Sequence, residues 1–228
     1  TVSRHDLFVD QLEHYWTEEG RKVQVVNTGT EGYSTDQEVA WLLEHGEKWA
    51  PDLVLLFAYE NDIYYNGENH YLRFPKPRFT AEGELETARL VDPGTKGFLR
   101  STAIGNLVME PLRLDTFETP VANRPLIKEF APLLKDAPEF LADAQARTQG
   151  AMKALRKKCD ELGAKLAVVV LPSHSAISPD YAELFSNTVL GMARSDWDPN
   201  QPVEFLLDAA RSAGILALDP RAELSRAH

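Results

Sequence analysis

Apolar positions along the first sixty residues follow two alternating rhythms. In residues 4–19, Leu7, Phe8, Leu12, Tyr15 and Trp16 share one stripe at helical spacing, and Gly20 closes the run, which predicts a helix. Residues 22–26 (KVQVV) are a short β-branched run and predict a buried strand. Ser34, Thr35 and Asp36 are then successive N-cap candidates for a helix carrying Val39, Leu42 and Leu43, which must end before Pro51. Asp52 introduces residues 53–57 (LVLLF), an unbroken apolar run of the kind covered on both faces of a sheet.

The same rhythm resumes late in the chain. Residues 139–162 predict a long helix with Phe140, Leu141, Ala144, Met152 and Leu155 on its apolar side and Gly163 as its stop. Residues 165–171 (KLAVVVL) predict a third buried strand, ended by Pro172. Residues 202–213 predict a helix through Val203, Leu206, Leu207 and Ala210, and Gly214 leads into a fourth strand at 215–218. Alternating strands and helices imply a parallel sheet with helices on both faces. The expected fold is therefore one α/β domain over residues 1–228, a three-layer α/β/α sandwich of the doubly wound, flavodoxin-like kind.

Between residues 64 and 138 the rhythm fails. Eight of the chain's 14 prolines fall there, which argues against long regular elements. So long an insertion in a compact domain is usually a lid or a partner surface. Its aromatics Tyr64, Tyr65, Tyr71, Phe74 and Phe79 either line a pocket or make a satellite core.

Composition narrows the classes of function. A formal net charge of −11, with no clustered basic face, argues against nucleic-acid binding. No stretch approaches the roughly 18 apolar residues of a membrane span, and the N-terminal residues do not read as a signal peptide; the first residue is not Met, so upstream processing is an open expectation. The one cysteine, Cys159, has no partner for an intramolecular disulfide. Lys157 and Lys158 beside it could lower its pKa, but its place in a helical pattern favours a structural thiol. The histidines His5, His14, His45 and His70 show no ligand-like spacing, so no metal or cofactor is expected.

Two polar turns follow the strands expected at 22–26 and 53–57: Asn27-Thr-Gly-Thr-Glu-Gly32 and Glu60-Asn61-Asp62. In an open parallel sheet, ligands bind at the carboxyl ends of the strands, where both turns lie. One candidate is a dinucleotide site, since Asn27-x-Gly29-x-x-Gly32 is the dinucleotide fingerprint with its first glycine replaced; the acidic residue expected at the end of the next strand is missing. The other is an oxyanion hole, with the Gly32 N–H as a bare backbone donor and the Asn61 side-chain amide converging on the same oxygen.

On these residues the chain resembles the SGNH (GDSL-type) hydrolases. Asn27-x-Gly29-x-x-Gly32-Tyr33-Ser34-Thr35, Pro51-Asp52-Leu-Val-Leu and Glu60-Asn61-Asp62 are similar to the family's second and third blocks, and residues 165–173 to its later strand ending in Pro-Ser. The likeness covers about residues 4–63 and 139–219. It implies an esterase or O-acyltransferase in which Gly32 and Asn61 are the oxyanion donors. It also implies a small-molecule or carbohydrate ester as substrate, no cofactor, and an exported or membrane-anchored setting like that of bacterial relatives with long insertions.

The family's other two blocks do not occur: there is no Gly-Asp-Ser, and Asp219-Pro-Arg-Ala has alanine where Asp-x-x-His needs histidine. The expectation is that nucleophile, base and orienting carboxylate lie beyond the two ends. Within the chain, Ser173-His174-Ser175 offers hydroxyls beside an imidazole, Ser34 reads as an N-cap, Asp62 as a structural hydrogen-bond partner, and His228 as a base only if the missing block is degenerate. A non-catalytic SGNH-like module, binding glycan or protein through the insertion, is the competing expectation. A nucleotide-binding α/β module is the third.

Overall fold

The computed structural model of the chain describes residues 7–71, 74–87 and 115–227. Among these residues no helix is long and apolar enough to cross a membrane. The chain forms two compact units, Thr1–Tyr33 and Ser34–His228.

In the first unit the expected helix is α1, Phe8–Glu18, and the chain leaves it through Gly20 at φ +79°. The expected strand at 22–26 does not form. The Val25 N–H donates to the Glu13 carboxylate at 2.7 Å rather than to a neighbouring strand, so the β-branched run has no regular secondary structure. The turn at residues 30–33 closes with the Tyr33 N–H on the Thr30 carbonyl, 3.1 Å, and puts Gly32 at φ +80°, a conformation a Cβ would strain.

The second unit is mixed α/β around a three-stranded parallel sheet. Helix α2 (Thr35–Trp49) starts after Ser34, whose N–H donates to Gln37 Oε1 at 3.3 Å, and it ends on Ala50 in the left-handed region before Pro51. Strand β1 (Leu53–Tyr59) follows, then the single turn α3 (Asp62–Tyr65). The proline-rich stretch supplies only two-residue strands: β2 (His70–Tyr71) with β3 (Phe74–Pro75), β4 (Arg78–Phe79) with β5 (Leu85–Glu86), and β6 (Thr116–Phe117) with β7 (Leu126–Ile127). Residues 88–114 of the expected insertion lie outside the described residues. A 3₁₀ turn, Lys128–Leu133, leads to the long helix α4 (Leu141–Leu162), which stops at Gly163, φ +69°. Strand β8 (Lys165–Leu171), short helices α5 (His174–Ile177) and α6 (Pro179–Phe185), helix α7 (Gln201–Ser212), strand β9 (Leu216–Leu218) and helix α8 (Arg221–Ala227) complete the unit.

Strands β1 and β8 pair in parallel over their whole length, from Leu53 opposite Lys165 to Tyr59 opposite Leu171. Strand β9 pairs with β8 on its other side, Ala167 opposite Leu216, which gives the order β1–β8–β9. The apolar run of β8 is buried at Leu166, Ala167, Val168 and Val170, as a run covered on both faces requires; in β1 only Leu56 and Ala58 are buried. Helices α2, α4 and α7 supply Val39, Met152, Leu155 and Leu206 to the core around these strands.

The insertion aromatics divide. Phe79 is fully buried in this main core, whereas Tyr64, Tyr65 and Tyr71 form an edge-to-face row and Phe74 is exposed. A satellite core does exist, but it is built from Leu126, Leu133, Leu134, Leu190, Met192 and Trp197.

Among the described glycines, Gly150 is the one whose added Cβ would meet its surroundings most closely. A Cβ there would sit well inside van der Waals contact of the Thr80 carbonyl, so α4 can press against the β4–β5 hairpin only at a glycine. Lys153 Nζ reinforces the contact on the Ala81 carbonyl at 2.9 Å. Gly150→Ala would gain about 1 kcal/mol of helix propensity, yet the overlap is with backbone that cannot rotate away. A net loss of about 1–3 kcal/mol is expected from overpacking, read as a lowered midpoint in urea unfolding. An unchanged or raised midpoint would show that the hairpin yields freely.

Candidate functional site

Because Tyr59 and Leu171 are register partners, the chain leaves β1 and β8 side by side at their carboxyl ends. The β1 exit is held by Asp62. Its Oδ2 accepts the Tyr59 N–H and the Thr35 hydroxyl, both at 3.0 Å, which folds the turn back on the strand and ties it to the start of α2. Burial pushes the Asp62 carboxyl up to about 7, with those two donors pulling the other way. Asp62 is thus a buried structural partner. Asn61, the residue before it, accepts the Tyr65 N–H on its carbonyl at 3.1 Å, and this half-buried residue lines a cavity.

The β8 exit is shaped by Pro172, and Ser173 then opens α5 with its carbonyl accepting the Ala176 N–H at 2.9 Å. The His174 ring stacks on Tyr181 of α6, 4.1 Å between centroids and 21° between planes. Helix α6 is buttressed from behind. Phe185 packs on Trp197, whose indole N–H donates to Ser186 Oγ at 3.1 Å, and Ser186 donates to the Met192 carbonyl at 2.7 Å. The satellite core therefore fixes one wall of the cavity.

That cavity has a volume of about 250 Å³. Tyr59, Glu60 and Asn61 reach it from β1, Ser173, His174 and Ser175 from β8, Tyr181 and Phe185 from α6, and Glu129 and Phe130 from the 3₁₀ turn. Ser173 is only 8% exposed, and its Oγ makes no hydrogen bond of ordinary geometry among the described residues. The same holds for Glu60 Oε2. Burial raises the Glu60 carboxyl to about 7; the facing Ser173 hydroxyl lowers it and the charge of Glu129 adds to the rise. Glu129 is itself held by the Tyr65 hydroxyl, 2.9 Å from its Oε2.

The two oxyanion candidates fall in different units. Asn61 lines the cavity, and Gly32 occupies the turn of residues 30–33 in the first unit. Ser173 and His174 share the cavity without forming a nucleophile–base pair, because the Ser173 hydroxyl makes no hydrogen bond of ordinary geometry and the imidazole lies against Tyr181. Ser34 is buried and donates to Asp36 Oδ1 at 2.7 Å, as an N-terminal residue of α2 occupied in its own turn. His14 pairs with Glu18 at 3.2 Å, His45 lies edge-on to Trp41, and His70 contacts Asn69. His5 and His228 lie outside the described residues. No group of three or more His, Cys, Asp or Glu among the described residues could hold a metal ion. Cys159 is fully buried, and burial pushes its thiol up to about 11; its neighbour Lys158 reaches Glu47, 3.2 Å away.

A second polar cluster lies behind the site at the start of α2. The side chains of Asp36 and Lys76, 1% and 2% exposed, form an ion pair. Burial raises the Asp36 pKa and lowers that of Lys76, while each one's charge on the other opposes the shift. The Asp36 N–H donates to Asn66 Oδ1, and Asn66 Nδ2 to Thr148 Oγ1, both at 3.0 Å, which links α2, α3 and α4. Burial, then the charges of Asp62 and Asp36, push Glu38 up to about 8.

These raised carboxyls fix a sign for the pH dependence of stability. A carboxyl whose folded pKa lies above its unfolded value stabilises fully below the unfolded pKa, and the contribution is lost as pH rises through the folded one. For Asp62, Glu60 and Glu38 the loss runs from the ordinary carboxylate range up to about 7–8. The thermal midpoint is therefore expected to fall between about pH 4.5 and 8, and Glu38→Gln to remove part of that fall, on the order of 1–2 kcal/mol at pH 8. A Glu38→Gln protein with the parental slope would exclude Glu38 as a contributor.

No protein-family model, curated protein or solved structure matches the chain. The sequence pattern pointed to Asn61 but passed over Glu60, Glu129 and Tyr181 as members of one cavity. Glu60 was reachable, because a polar residue directly after a parallel strand belongs to the ligand-binding edge. Glu129 and Tyr181 come from a 3₁₀ turn and a seven-residue helix that carry no periodic signal.

Proposed function

We propose that this chain is part of an SGNH-type serine ester hydrolase built on a three-layer α/β/α sandwich, with Asn61 Nδ2 and the Gly32 N–H as oxyanion donors. The observation that carries the reading is Asn61, which lines a cavity at the carboxyl end of a parallel strand. A serine outside these 228 residues attacks the ester carbonyl and gives its proton to a histidine. The alkoxide that forms is held by the two donors, and its collapse expels the alcohol, which takes that proton. Water then hydrolyses the acyl-serine. An O-acyltransferase of the same fold differs only in the acceptor of the last step. Asn61 is suited to its part because the bond that closes α3 uses its backbone carbonyl and not its side-chain amide.

Labelling of the full-length protein with a fluorophosphonate probe tests the reading, alongside turnover of a small aryl ester. Covalent labelling at one serine with measurable hydrolysis is expected. A protein that neither labels nor turns over ester is instead an SGNH-like binding module, for which a cavity lined by carboxyls and aromatic rings is sufficient equipment.

A further inference from the structure

Asn61 stands between two carboxyls, and each is engaged by a hydroxyl from a different element. The residue after it, Asp62, takes the Thr35 hydroxyl from the start of α2 and the Tyr59 N–H from the end of β1, both on Oδ2 at 3.0 Å. The bond to Tyr59 closes a ring of backbone that contains Glu60 and Asn61. Thr35 is fully buried and Asp62 nearly so, which keeps the contact away from solvent. On its own backbone Asn61 is fixed by its carbonyl, which accepts the Tyr65 N–H.

The residue before it, Glu60, is matched to the exit of β8. Tyr59 and Leu171 are register partners, and both Glu60 and Ser173 line the cavity just beyond them. The Ser173 hydroxyl favours the charged form of the Glu60 carboxyl, and neither Ser173 Oγ nor Glu60 Oε2 has another hydrogen-bond partner among the described residues. Ser173 is itself fixed through its carbonyl, which accepts the Ala176 N–H of α5. The turn that carries Asn61 is thus tied to α2 on one side and to β8 on the other. Such ties matter for an oxyanion donor, which works only if it is held in place before charge develops.

We infer that Thr35 and Ser173 are positioning residues that set the Asn61 amide through the carboxyls on either side of it, Asp62 and Glu60. The consequence for catalysis rests on the oxyanion role proposed for Asn61. Thr35 is not part of the cavity lining, so its effect on the chemistry passes through Asp62. The charged groups facing Asp62 are Asp36 and Glu38 from α2, which oppose its ionisation, and Lys76 from between β3 and β4, which favours it. Glu60 faces Glu129 from the 3₁₀ turn, with Tyr59, His174 and Tyr181 in the same lining. Ionised Asp62 accepts both of its donors strongly on one oxygen; protonated, it holds them weakly and the turn loosens. Ester turnover is therefore expected to fall as pH drops through about 7, the value to which burial pushes the Asp62 carboxyl. Loss of the Thr35 hydroxyl withdraws a donor from the charged form, which moves that fall to higher pH.

The test compares Thr35→Val, which keeps the shape, Thr35→Ser, which keeps the hydroxyl, and Ser173→Ala in the full-length protein. Two readouts are taken: ester kinetics against pH, and the Asn61 side-chain amide resonance in ¹H–¹⁵N spectra. Thr35→Val is expected to lower kcat about ten-fold at constant KM, to move the acid limb to higher pH and to shift the Asn61 resonance. Thr35→Ser is expected to restore all three. Ser173→Ala is expected to lower kcat less and to shift the same resonance, and it serves alone if Thr35→Val does not fold. An Asn61 resonance at its parental position in the folded variants overturns the inference, as does parental kcat in both where Asn61→Ala is impaired. A loss of kcat that Thr35→Ser does not restore, with the acid limb unmoved, assigns Thr35 to stability alone and overturns it too. The spectra need no turnover. A protein without ester hydrolysis whose Asn61 resonance shifts in Thr35→Val and returns in Thr35→Ser therefore upholds the positioning and defeats the hydrolase reading.

Discussion

Asn61→Ala is expected to lower kcat for ester hydrolysis by about 10²–10³, on the order of 3–4 kcal/mol, with KM nearly unchanged. An amide donor aimed at an alkoxide strengthens as charge develops, and it binds the neutral carbonyl of the ground state weakly. Asn61 lines the cavity, and its backbone closes α3 through its carbonyl and the Tyr65 N–H. Alanine preserves that bond, so the thermal midpoint is expected to stay close to the parental one and the loss to be chemical. Steady-state kinetics on the full-length protein decide the matter. An unchanged kcat removes Asn61 from the oxyanion role, and a raised KM at constant kcat assigns it to ground-state binding.

Lys76→Met is expected to destabilise the protein by about 3–5 kcal/mol, the cost of leaving a buried carboxylate without its cation. Asp36 and Lys76 are more deeply buried than any other ion pair among the described residues. Surface pairs such as Arg156–Asp160 contribute far less. Asp36 also takes the Ser34 hydroxyl on Oδ1 and joins Asn66 through its N–H, so the loss reaches α2, α3 and α4 together. The double variant Lys76→Met, Asp36→Leu separates charge from packing. If the single variant fails because a carboxylate is stranded, the double variant is expected to recover much of the loss. Urea unfolding curves for the parent, the single and the double variant close the comparison, and a double variant no better than the single would place the effect in packing.

Much of the framework was legible because its signals are local and redundant. Residues 165–171 combine β-branched side chains, a preceding glycine and a following proline, and the strand runs over that stretch. Ser34 and Pro51 bracket α2, and Gly163 ends α4, for reasons of hydrogen bonding and φ that need no tertiary context. Residues 22–26 failed for the opposite reason. A β-branched run becomes a strand only where another strand offers its backbone, and the Val25 N–H goes to Glu13 instead. The site was half legible. Asn61 stands directly after an obvious strand, but the cavity also needs Glu129 and Phe130 from a turn that contains Pro132, and Tyr181 and Phe185 from a helix too short to show a period. Charge was the least legible quantity. The partnership of Asp36 with Lys76 joins a helix start to a proline-flanked loop, and nothing in their spacing announces it.

The register of β1 against β8 has a kinetic consequence. Pairing Leu53 with Lys165 closes a loop that contains the whole proline-rich segment and α4, whereas the two-residue hairpins and α2 close over short stretches. Loop-closure entropy is paid before such distant contacts give anything back, so local elements form early and the central pairing late. The cavity is made where those two strands end. It is therefore expected to be among the last features of the second unit to be completed during folding.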